Sequence, residues 1–108
     1  MSEEFQIQIP TSFMALFVPP GRTRPLIGQR EMAVRYELCE DMAQLLTEQV
    51  ANQPFQLGIT EDLALERCLQ GLLTTPEVLG EAEARWVVCR LAELLQWPWP
   101  SWVDTPQA

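Results

Sequence analysis

"QREMAVRYELCEDMAQLLTEQVAN", residues 29–52, decides the fold. Met32, Tyr36, Cys39, Met42, Ala43, Leu46 and Val50 recur at helical spacing, which gathers them on one side of a 3.6-residue helix. Leu38 and Leu45 widen that stripe, and Glu37, Glu40, Asp41 and Glu48 occupy the other face. A helix with one apolar face must bury it against neighbours, so the stretch predicts a helical bundle.

Upstream, "PTSFMALFVPPG" (10–21) reads as about two helical turns capped by Thr11 or Ser12 and stopped by Pro19, Pro20 and Gly21. Phe13, Leu16 and Phe17 stand at i, i+3 and i+4. A helix this short does not hold alone in water and is expected to pack on its own domain rather than in an external groove. Two segments, "EFQIQIP" (4–10) and "PFQLGIT" (54–60), alternate apolar and polar at Phe5, Ile7, Ile9 and at Phe55, Leu57, Ile59. They read either as a minor two-stranded ribbon or as extended lead-ins to helices, and the N-cap character of Thr60 favours the second.

Downstream, a third helix follows Thr60, with Glu61 and Asp62 in its positively polarised first turn and Leu65, Cys68, Leu69 and Leu72 on one face. Thr75-Pro76 restarts a turn. A last long helix over 80–97 carries Ala84, Val87, Val88, Leu91, Leu94 and Leu95 on a broad aliphatic face, with Trp86, Cys89, Arg90, Glu93 and Trp97 on a second stripe. Pro98 and Pro100 end it. The expected architecture is mainly α: a small bundle of three long helices and one short N-terminal helix. It forms a single domain over 1–97, followed by a Trp/Pro-rich extended tail over 98–108, with the two-stranded ribbon as a minor addition.

The totals set limits. At 108 residues, one domain with one core is expected, burying about 65% of the unfolded chain's surface. The longest apolar run, "FMALFV", is six residues, against about 20 for a membrane span. The beginning "MSEEFQIQIP" has acids where a secretory leader needs a basic flank, so a cytoplasmic location is expected. Cys39, Cys68 and Cys89 form no CxxC pair, and the chain has no histidine. They read as small apolar residues in a reducing compartment, not as a metal or redox site. No cofactor is expected.

Catalysis has little to stand on: no histidine, no lysine, one tyrosine and no GxSxG. A cysteine- or carboxylate-dependent enzyme is the remote alternative, and a non-enzyme is expected. "PGRTRPLIGQR" (20–30) lacks the GxxxxGK[ST] order of a phosphate-cradling loop. The carboxylates of the long helix come from one helix face, without the varied geometry of a calcium loop.

The charge is lopsided. The net charge is -8; residues 1–35 hold four arginines against three acids, and residues 36–108 hold three against twelve. Arg22 and Arg24, in a loop stiffened by Pro19, Pro20 and Pro25, and Arg30 beyond it, are the candidates for recognising charge, since arginine's planar fork pairs with carboxylates. Glu37, Glu40 and Asp41 offer the complementary surface, inside the molecule or on a second copy. Nucleic acid is not expected as a partner because the rest of the chain repels it.

Four tryptophans, Trp86, Trp97, Trp99 and Trp102, fall in the last quarter of the chain. They are candidate partner-binding residues, because Trp combines large apolar area with one polar handle. The alternative is that the tail folds back, Trp99 or Trp102 covering Trp86 and Leu95.

The run "PPGRTRPLIGQREMAVRYELCEDMAQLL" (19–46), through its PGRxRP loop and "RYELCEDMA" helix, resembles a small family of uncharacterised bacterial proteins labelled "ATPase with chaperone activity". The resemblance implies chaperone-like or adaptor binding. The missing phosphate loop speaks against the ATPase half of that label. The expected function is a non-catalytic protein-protein interaction or adaptor module whose partner is another protein. A structural homodimer that covers the Trp86 and Trp97 stripe with a second copy is the alternative. Membrane association is not expected.

Overall fold

The 29–52 stripe folds as a single helix, α2, Gln29–Val50. In the computed structural model, which describes residues 8–102, it is preceded by α1, Thr11–Met14, with a 3-10 turn at Ala15–Phe17, and followed by α3, Gln53–Leu57, α4, Glu61–Leu73, and α5, Glu81–Leu95. No strand occurs among the described residues, and the protein is a mainly α, small helical bundle. The chain divides within α2 into two compact units, Met1–Leu38 and Cys39–Ala108. Residues 98–102 fall within the second unit.

Unit 1 is built around Phe13, which is fully buried. Its ring lies 5.4 Å from that of Phe17 and 5.6 Å, nearly edge-on, from that of Tyr36 in the first half of α2. Both distances suit the offset and edge contacts that aromatic quadrupoles favour. This packing explains how four residues hold a helix that propensity alone would not. The helix starts one residue earlier than its sequence suggests: Pro10 is the N-cap, its carbonyl accepting from the amides of Phe13 and Met14 at 3.0 Å each, and no side chain caps it. Met32, on α2, is also buried.

Unit 2 has a core of Val50 from α2, Ala64, Leu65 and Leu69 from α4, and Ala84, Val88, Leu91 and Ala92 from α5. Burying one such leucine side chain contributes about 1.5–3 kcal/mol. α4 begins where Thr60 predicted, its hydroxyl accepting from the amide of Leu63 at 3.0 Å. α5 starts at Gly80, whose amide donates to the Glu83 carboxylate at 3.1 Å. Glycine has no side chain to return the favour, so only that half of a capping box is made.

Two helix ends use the left-handed conformation. Gly58 (φ 67°) closes α3, with Ile59 N–H donating to the Pro54 carbonyl. Gln96 (φ 61°) closes α5, with Trp97 N–H reaching back to Ala92 and Gln96 N–H to Glu93, both bonds of a Schellman motif.

Two expectations are corrected. The strand alternative fails at Phe55, because 53–57 is a turn and a half of helix started by Pro54 and ended by Gly58; its partner segment lies, except for Gln8, Ile9 and Pro10, outside the described residues. Leu45 does not widen the buried stripe of α2: it is 69% exposed, whereas Cys39, Ala43 and Val50 carry the burial.

Candidate functional site

The arginine loop in unit 1 is ordered by its own backbone. Arg22 N–H donates to the Pro19 carbonyl across a turn with Pro20 second and Gly21 (φ 79°) third, the arrangement of a type II turn. Leu26 N–H donates to the Phe17 carbonyl at 2.7 Å and closes the loop. Arg22, Arg24 and Leu26 all project outward. Neither Arg22 nor Arg24 forms an ion pair with a described residue. Arg30, in the first turn of α2, is exposed, as is Glu37.

The acidic face has a different arginine. Arg90 of α5 sets its guanidinium edge against Glu40, Nε to Oε1 at 2.9 Å and Nη2 to Oε2 at 3.1 Å, and its Nη1 donates to Glu93 at 3.2 Å. Gln44 adds a further bond to Glu40 at 2.9 Å. These side chains are 33% and 20% exposed, and the Arg90 bond holds the Glu40 carboxyl below its usual range against the opposing pull of desolvation. Glu40 is therefore paired within unit 2, by an arginine of α5. Asp41 remains exposed.

The tryptophans separate into two environments. Trp97 and Trp102 are partly buried and pack against the core cluster of unit 2, and Trp86 is half-buried on α5. Trp102 is brought there by a fold-back at 98–102: Pro100 is buried, and the Ser101 amide and hydroxyl donate to the two Asp62 oxygens at 2.6 and 2.8 Å. The Arg85 guanidinium lies 5.2 Å from the Trp102 ring centroid, within cation–π range, while its Nε and Nη2 bond Glu81. The Trp102 indole nitrogen is buried without a hydrogen-bond partner. Trp99 stays outside at 57% exposure.

Trp99 is not alone. Phe55 is 92% exposed, Leu57 53% and Leu63 40%. Phe55 and Leu57 sit on α3, which packs against α4, and Leu63 is in the first turn of α4. Ser101 is bonded to Asp62 in that same turn, and two residues of chain span at most about 7 Å, so Trp99 belongs to the same end of unit 2. The exposed apolar residues of α3 show no amphipathic periodicity, because α3 is only five residues long. The signal available was composition: a phenylalanine and a leucine between Pro54 and Gly58 in a segment that bounds two longer helices.

Burial pushes the Cys68 thiol up to about 11, and burial with the neighbouring Glu93 does the same for Cys89. Cys39 is buried, and none of the three is in a disulfide. No group of three or more acids and cysteines among the described residues is placed to hold a metal. No helix among them is long and apolar enough to cross a membrane. No protein-family model matches the chain, and no curated protein and no solved structure is significantly similar to it.

Proposed function

We propose that the protein is a non-catalytic protein-protein interaction module, an adaptor of the chaperone-like kind implied by the resemblance of its PGRxRP loop and "RYELCEDMA" helix, acting in the cytoplasm. The observation that carries this reading is the exposure of Phe55, Leu57, Leu63 and Trp99. A small domain with a well-formed core gains nothing in stability from leaving such side chains in water, and large aromatic side chains are the usual anchors of interaction surfaces. The ordered loop that presents Arg22 and Arg24 is a second surface, preorganised by its turn and therefore cheap to dock in entropy. Burial that pushes the Cys68 and Cys89 thiols up makes them poor nucleophiles near neutral pH, which supports the non-catalytic reading.

The homodimer built on Trp86 and Trp97 has less support, because Trp97 already packs against its own core. The test is affinity capture from native lysate with the intact protein, an Arg22→Glu/Arg24→Glu variant and a Phe55→Asp variant, each first shown to be folded. A protein held by the intact chain and lost by either variant supports the adaptor reading. Identical sets from all three refute it.

A further inference from the structure

The chain leaves α5 through the Gln96 turn and doubles back along it, so that Trp102 meets Arg85 near the start of the same helix. What holds residues 98–102 in place ends on side chains. Among the described residues, no backbone group of 98–102 bonds to another backbone group, and Pro98 and Pro100 have no N–H to donate. The attachments are the buried Pro100, the Trp102 ring on the core cluster, the Ser101 amide and hydroxyl on Asp62, and the Arg85 guanidinium on Trp102.

Two features work against the closed form. The Trp102 indole N–H is buried without an acceptor; closing strips its water and supplies no bond, and opening restores the water. The Ser101–Asp62 contact is exposed, where water competes for both partners. The segment also has a hinge. Trp97 is anchored, its N–H on the Ala92 carbonyl and its side chain packed against the core, and Pro100 is buried, but Trp99 between them is 57% exposed. With Pro98 and Pro100 restricting φ, what swings about that point is short and stiff. Segments with few buried contacts and exposed hydrogen bonds open locally well before the whole domain unfolds.

We propose that residues 98–102 are a latch on unit 2, which opens as a unit while α4 and α5 stay folded, with Asp62 as its catch and Arg85 holding the Trp102 ring. Opening frees Trp102 and uncovers the core residues beneath it, so unit 2 gains apolar surface without losing a helix. The latch goes beyond the protein-binding reading and is tested without a partner.

The experiment is hydrogen exchange on the full chain, 15N-labelled, followed at the indole N–H of Trp102 and at the backbone amides of α4 and α5. In the intact protein the Trp102 indole is expected to be at least about 100-fold less protected than the slowest of those amides, because it exchanges through latch opening and they through unfolding. Asp62→Ala, which removes both bonds, should lower its protection by about tenfold, and Ser101→Ala, which removes one, by about threefold, with helical circular dichroism unchanged in both. Ser101 lies outside every helix, so its variant keeps the test intact should Asp62→Ala disturb the first turn of α4. A Trp102 indole protected as well as the slowest α5 amides would make the tail part of the cooperative core and overturn the proposal. Protection indifferent to both substitutions would do the same by removing the catch. So would loss of helical dichroism in Ser101→Ala, which would show that the helices need the tail closed.

Discussion

Removing Arg90 or Glu40 tests whether the internal ion pair, not the arginine loop, is what neutralises the acidic face of α2. The pair is a two-point fork with both side chains partly buried. Two charges about 4 Å apart interact by about 4 kcal/mol at an effective dielectric of about 20, and desolvation and ordering offset most of that. Exposed pairs retain about 0.2–1 kcal/mol, whereas breaking a fully buried pair costs about 3–5 kcal/mol. The intermediate exposure here puts the coupling at about 1–2 kcal/mol, or several degrees in melting temperature for a chain of this size. The assay is a double-mutant cycle of Glu40→Gln and Arg90→Gln by urea unfolding at neutral pH, the double variant removing the contribution of the Arg90 bond to Glu93 from the coupling term. Its pH dependence has a definite sign. The folded-state pKa of Glu40 is lowered from 4.5, so the pair's contribution is complete above that value and is lost as pH falls through the lower, folded-state value. A coupling below about 0.3 kcal/mol, or one that persists unchanged in strong acid, refutes the reasoning.

Leu65→Ala, at a fully buried site between α4 and its neighbours, should cost about 3–4 kcal/mol in denaturant unfolding, while Phe55→Ala should stay within about 0.5 kcal/mol; a large loss at Phe55 would contradict its exposure. Gln96→Gly should stabilise the protein by about 1 kcal/mol, because Gln96 closes α5 at a positive φ that costs a side-chain-bearing residue about that much, and thermal unfolding of the two forms reads it directly. Cys68 and Cys89, each with a thiol pushed up to about 11 from 9.0, should alkylate with iodoacetamide about 100-fold more slowly in the native protein than in urea at pH 7.4, followed by mass spectrometry; equal rates would contradict the burial.

The helices were legible where apolar residues recur long enough to define a face. The stripe from Met32 to Val50 located α2 to within two residues, and Thr60 marked the start of α4, because an N-cap acts through its own hydroxyl on an amide three residues away. Where local signals compete the reading fails. Phe55, Leu57 and Ile59 alternate like a strand, but Pro54 and Gly58 fit the ends of a short helix so well that the capping geometry overrides the period of two. Leu45 joined the stripe by its apolar character alone: five residues before Val50, it stands about 140° round the helix from it, on the side that stays in solvent. The Glu40–Arg90 fork was invisible for a simpler reason: its partners are 50 residues apart, and spacing along a chain carries no information about which faces of two distant helices meet.

That fork also changes what the charge imbalance means. An acidic helix face and a basic loop in one chain suggest that each exists to satisfy the other. Yet unit 1 holds four arginines and four glutamates, while unit 2 spends two of its three arginines on Glu40, Glu81 and Glu93 and keeps its net negative charge. Inside unit 2 arginine acts as a structural fork, tying α5 to α2 at Glu40 and shielding Trp102 with Arg85. The acids left over give unit 2 a net negative charge, and like charge of that kind raises the cost of bringing two copies of unit 2 together.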